Sequence, residues 1–182
     1  MAKMRDNNAT YGIRGKVNQF VYRQRYGETV VSKPPIRVAP FTEEQMQVHS
    51  TFKRASLYAK SITTDPAMKA AYQQKARRGS TAYNMALADY FKAPEIVEID
   101  LSAISSGTIS SIVTDNFKVK QVTVSIEAAD GSLVESGDAV QQPDGLHWVY
   151  TTTSANANVS GNKVSITATD LPGNSIVNEI TI

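Results

Sequence analysis

The sequence predicts an α+β chain of two modules, a β-hairpin with about three helices over residues 1–94 and a β-sandwich over residues 95–182. Three observations lead there. Residues 1–94 carry a formal charge of +10 and residues 95–182 one of −8, so the net +2 conceals a strong asymmetry. At Lys92-Ala93-Pro94-Glu95 the texture turns from helix formers to Val, Ile, Thr, Ser and Gly. At the same place the apolar period changes from that of a helix to that of a strand.

Residues 1–10 are polar and basic, and Asp6-Asn7-Asn8 reads as a turn. They are either a frayed tail or a segment held by a partner. Residues 12–33 read as a β-hairpin, with one strand through Val17, Gln19, Val21 and Arg23. A turn at Tyr26-Gly27-Glu28 and a return strand at Thr29-Val30-Val31-Ser32 complete it. Pro34-Pro35 ends the return strand, because proline donates nothing to a ladder.

The candidate partner-binding residues lie on this hairpin: Arg14, Lys16, Tyr22, Arg23, Arg25, Tyr26, Lys33 and Arg37. A ribbon mixing cations with aromatic rings suits a nucleic-acid groove or a phosphate backbone. It suits an acidic protein surface equally, and a solvated hairpin packed on its own helices is the structural alternative.

Three helices follow. Thr42-Glu43-Glu44-Gln45 fits a capping box opening a helix over 42–62, with Val48, Phe52, Ala55, Ala59 and Ile62 as its apolar seam. Asp65-Pro66 starts the second, as N-cap and first helical residue, and Gly79 is expected to stop it. Ser80 is expected to cap the third, whose stripe is Tyr83, Ala86, Leu87, Tyr90 and Phe91.

From Ile96 onward, seven strands are expected over 96–101, 108–113, 119–127, 132–135, 146–153, 163–169 and 175–182. Turn signals such as Asp130-Gly131 and Pro143-Asp144-Gly145 separate them. Val119 is out of phase with Val122, Val124 and Ile126, which calls for a bulge near Lys120-Gln121. Leu146, Trp148 and Tyr150 are expected to alternate inward, as are Val164, Ile166 and Ala168.

The series Asp115-Asn116-Phe117-Lys118-Val119, Val122-Thr123-Val124-Ser125-Ile126, Asp130-Gly131, Trp148-Val149-Tyr150 and Ile166-Thr167-Ala168-Thr169-Asp170 with Gly173-Asn174 resembles bacterial immunoglobulin-like domains. The resemblance covers about residues 95–182 and implies an immunoglobulin-like sandwich. Such domains are frequent in surface proteins and phage structural proteins, where they serve as spacers or adhesive modules. Residues 12–35 resemble small basic proteins of unknown function from Bacteroidetes and their prophages.

Catalytic signatures are missing. There is no Cys, no phosphate-binding or dinucleotide-binding glycine motif and no nucleophile elbow, and His49 and His147 fall in different modules. No cofactor or metal is therefore expected. Asp115 and Asp170, with Asn116 and Asn174, are expected on loops at one end of the sandwich. A hard cation takes such oxygens, though ordinary turn chemistry also accounts for them. No apolar run reaches the roughly 18–20 residues of a membrane span. The polar N-terminus lacks the apolar core of a secretory signal, so cytoplasmic synthesis is expected, followed by incorporation into a particle.

The expected function is therefore a non-enzymatic structural or assembly protein, such as a component of a phage-like particle, whose basic module docks on protein partners or copies of itself. The alternative is a nucleic-acid-binding protein using the same module. A salt titration separates them, since phosphate binding weakens steeply with salt.

Overall fold

A computed structural model describes residues 2–4, 12–25, 27–34, 36, 40–153 and 160–182. The fold is α+β, with three helices and three antiparallel four-stranded sheets among the described residues. Packing divides the chain into two compact units, Met1–Ser50 and Thr51–Ile182. The change of charge and period at residues 92–95 falls inside the second unit, because the helices beyond Thr51 share a core with residues of the sheets' turns.

The first unit holds a sheet of strand order β1-β4-β3-β2, comprising β1 (Ala2–Met4), β2 (Gly15–Val17), β3 (Phe20–Arg25) and β4 (Glu28–Ser32). The strand expected to run unbroken from Val17 to Arg23 is in fact two strands. Asn18 takes a left-handed φ of 52° and turns the chain there, a conformation its short polar side chain tolerates. The turn at Gly27 (φ 83°) joins β3 to β4, so the hairpin is part of a larger sheet.

Helix α1 (Glu43–Thr64) opens with the expected capping box: Thr42 N–H donates to Gln45 Oε1 at 3.1 Å, and Gln45 N–H donates to Thr42 Oγ1 at 3.3 Å. Its seam is buried only at Ala55, Ala59 and Ile62; Val48 and Phe52 are 67% and 52% exposed. Helix α2 (Pro66–Lys75) is capped by Asp65, whose Oδ1 accepts from Ala67 N–H and Met68 N–H. It ends before Gly79, since Ala76 is already extended. Helix α3 (Ala82–Tyr90) is capped by Thr81, not Ser80; Thr81 Oγ1 accepts from Asn84 N–H at 3.2 Å.

Among the described residues eight strands follow: β5 (Glu95–Asp100), β6 (Thr108–Thr114), β7 (Val119–Glu127), β8 (Leu133–Asp138), β9 (Val140–Gln141), β10 (His147–Thr151), β11 (Lys163–Asp170) and β12 (Ser175–Thr181). They form two sheets, β5-β6-β10-β9 and β12-β11-β7-β8. One apolar core joins them, with Ile109, Val113, Trp148 and Tyr150 from the first and Val122, Val124, Ile126, Val164, Ile166 and Ala168 from the second. The chain passes from one sheet to the other at buried Ala139, between β8 and β9.

The bulge at Lys120 is present: Thr169 pairs with Gln121 and Asp170 with Val119, so Lys120 has no opposite number. This puts Val119 inward together with Val122, Val124 and Ile126. Leu146 does not join Trp148 and Tyr150 inside; it is 48% exposed. It stands just before β10, on a turn where Asp144 Oδ1 accepts from Leu146 N–H and His147 N–H.

The helices keep their own core of Ala59, Ile62, Tyr72, Ala82 and Ala86. Phe117 and Leu171, from the β6–β7 and β11–β12 turns, complete it. The Tyr72 and Phe117 rings stack with centroids 3.6 Å apart.

Candidate functional site

Strand register sorts the predicted partner-binding residues. Residues directly opposite in an antiparallel ladder share a face, and alternate residues lie on opposite faces. Lys16 pairs with Val21, Arg23 with Val30 and Arg25 with Glu28, so Lys16, Arg23 and Arg25 share one face of the first sheet. All three are exposed. Val30, opposite Arg23 on the same face, is buried.

Tyr22 lies on the other face with Phe20, Gln24 and Val31, and is half-buried. Gln24 Nε2 organises that face by donating to Thr29 Oγ1 at 2.8 Å. Arg14 and Lys33 are exposed just outside β2 and β4. Tyr26 and Arg37, and the tail over 5–11, lie outside the described residues. The fold thus brings together Lys16, Arg23 and Arg25 and separates them from Tyr22.

A second constellation escapes a reading of the sequence. Tyr72 donates its hydroxyl hydrogen to Asp89 Oδ2 at 2.6 Å, and the hydroxyls of Tyr58 and Tyr72 lie 2.8 Å apart. Tyr72 and Asp89 are fully buried. Burial pushes the Asp89 carboxyl up to about 7, the charges of Asp115 and Asp170 add to this, and the Tyr72 hydrogen bond opposes it. Burial likewise raises Tyr72 and Tyr58. The available signal is the place of Asp89 on the helical stripe of Ala82 and Ala86, where an acid is out of pattern.

Asp170 is also fully buried. Its Oδ1 accepts from Gly173 N–H and Asn174 N–H, and its Oδ2 from Asn174 Nδ2 at 2.7 Å. The same Asn174 Nδ2 donates to Tyr90 O at 3.2 Å, tying the β11–β12 turn to the end of α3. Asp115 Oδ2 accepts from Phe117 N–H and Lys118 N–H. These are turn and capping bonds. Among the described residues, no group of three or more His, Cys, Asp or Glu side chains is placed to hold a metal ion. No helix among them is long and apolar enough to cross a membrane.

No family model and no curated protein matches this chain. The crystal structure of an engineered protein from the Northeast Structural Genomics Consortium is similar at 25% identity and a TM-score of 0.30. The match covers 42% of this chain and 16% of that one. At that TM-score the likeness decides neither fold nor function.

Proposed function

We propose that this chain is a non-enzymatic structural protein that joins a larger assembly, such as a phage-like particle, by docking its basic N-terminal sheet on an acidic protein surface. The observation that carries this reading is the face bearing Lys16, Arg23 and Arg25, all exposed on adjoining strands. Arginine suits such a contact because its planar fork meets a carboxylate at two points. Exposed Val48 on α1, within the same unit, adds apolar area of the kind partners cover.

Residues 95–182 serve in this reading as an immunoglobulin-like spacer or adhesive module. The orders β5-β6-β10-β9 and β12-β11-β7-β8 correspond to the ABED and GFC sheets of that fold with one added edge strand, which supports it.

The second reading, nucleic-acid binding, draws on the same cations. The position of Tyr22 on the opposite face weighs against it, since stacking on bases needs rings beside the cations. The test is light scattering of the full chain across concentrations, with duplex-DNA mobility shifts over a salt series, for wild type and Lys16→Glu/Arg23→Glu. Since residues 95–182 of a further copy carry a formal −8 and offer such an acidic surface, self-association lost in the variant, without DNA binding by either protein, is the expected result. Steeply salt-dependent DNA binding that the variant loses would replace assembly by the second reading.

A further inference from the structure

We propose that the cleft between α2 and the adjoining end of the sheets is a separate docking site, which takes an extended acidic segment of a protein partner. The cleft has a volume of about 490 Å³ and lies wholly within the second unit, so the inference does not depend on the basic sheet. This size suits a few extended residues.

Its chemistry is mixed in a definite way. Val113 and Phe117, both buried, contribute apolar lining, and Leu146 is a half-exposed apolar side chain on the same cleft. Lys75 from α2 and Lys118 from the β6–β7 turn also line it. Neither lysine is ion-paired to a carboxylate among the described residues. Lys75 Nζ donates to Phe117 O at 3.2 Å, which uses one of its three donors and holds the ammonium at the wall. Part of the ordering cost of a flexible lysine is therefore met before any ligand arrives.

Asp115 is the acid in the lining. Its Oδ2 accepts from Phe117 N–H and Lys118 N–H, and its Oδ1 is buried. The accessible charge is thus that of the two lysines. A carboxylate side chain placed between Lys75 and Lys118 would meet both, while an apolar neighbour in the same segment covers Leu146. A nucleic-acid backbone would satisfy the lysines and leave the apolar surface uncovered.

The experiment uses the full chain and a fluorescein-labelled peptide, Glu-Leu-Glu-Val-Glu-Leu, read by fluorescence anisotropy at low salt. Binding is expected to weaken about tenfold or more in Lys75→Glu/Lys118→Glu, a charge reversal worth at least 1.4 kcal/mol. It is expected to weaken less in Leu146→Ser and to persist in Lys16→Glu/Arg23→Glu. Lys118→Glu alone, which spares the bond to Phe117 O, is expected to act in the same direction and covers any folding defect of the double variant. Undetectable binding at millimolar peptide overturns the proposal. So does equal binding of a peptide with Lys in place of Glu, retention in the cleft variants, or loss only in the sheet variant.

Discussion

Tyr72 and Asp89 face each other at 2.6 Å across the interior of the helical core, with neither side chain reaching solvent. Asp89 stands in the last turn of α3, where the helix dipole also disfavours a negative charge. Burial therefore favours the neutral carboxylic acid, against the Tyr72 hydrogen bond, and this has a consequence for stability.

An acid whose carboxyl titrates near 7 when folded, against 3.8 ordinarily, keeps its proton longer in the folded state. Stability from this group is full below about pH 4 and falls as pH rises to about 7, then levels off. Asp89→Asn keeps an acceptor for Tyr72 and removes the titration. Urea unfolding from pH 4 to pH 8 should show a flatter profile for the variant, which becomes the more stable protein above pH 7. Parallel profiles for the two proteins would show that Asp89 is ionised in the folded state throughout.

The boundary of autonomous folding is the second prediction. Phe117 and Leu171 belong to the helical core, and Asn174 ties its turn to α3. A chain of residues 51–182 should unfold in one cooperative step. Residues 95–182 alone should be less stable, because the cut bares Phe117 and removes the ring stacked on it. Equal thermal midpoints for the two fragments would show that the helices add nothing to the sheets.

Trp148 tests the core between the sheets. It is 6% exposed, and its Nε1 is buried with no acceptor among the described residues. Trp148→Ala should cost about 3–5 kcal/mol. Trp148→Phe should cost much less, since it keeps most of the apolar area and removes an unpartnered donor. Denaturant unfolding of both variants decides this; equal losses would point to a specific role for the indole N–H.

Much of the local structure was legible in the residues because its causes are local. The Thr42–Gln45 box, the Asp65 cap and the bulge at Lys120 each follow from side chains within a few positions of one another. The inward sets Val122, Val124, Ile126 and Val164, Ile166, Ala168 follow from the period of a strand. The turn at Asn18 is concealed in sequence because Val17 and Val21 flank it with strand-like residues, and only the left-handed backbone reveals it. The seam of α1 could not be cut at Ala55 from sequence, since periodicity marks a face without saying how far a neighbour covers it.

The amino-acid sequence by itself determined most of the elements, the caps of α1 and α2, the α+β class and the concentration of cations in the N-terminal half, since propensity, periodicity and formal charge are properties of a chain read in order. Tertiary structure alone decided that Lys16, Arg23 and Arg25 share a face and that Tyr22 does not, because register depends on which residues pair across strands. It also decided that Asp89, 17 positions from Tyr72, is buried against it, and that Lys75, 42 positions from Phe117, reaches its carbonyl. Charge and period change together near residue 94, but packing follows side chains that meet in space, and Phe117 and Leu171 fill a core that helices far from them in sequence leave open.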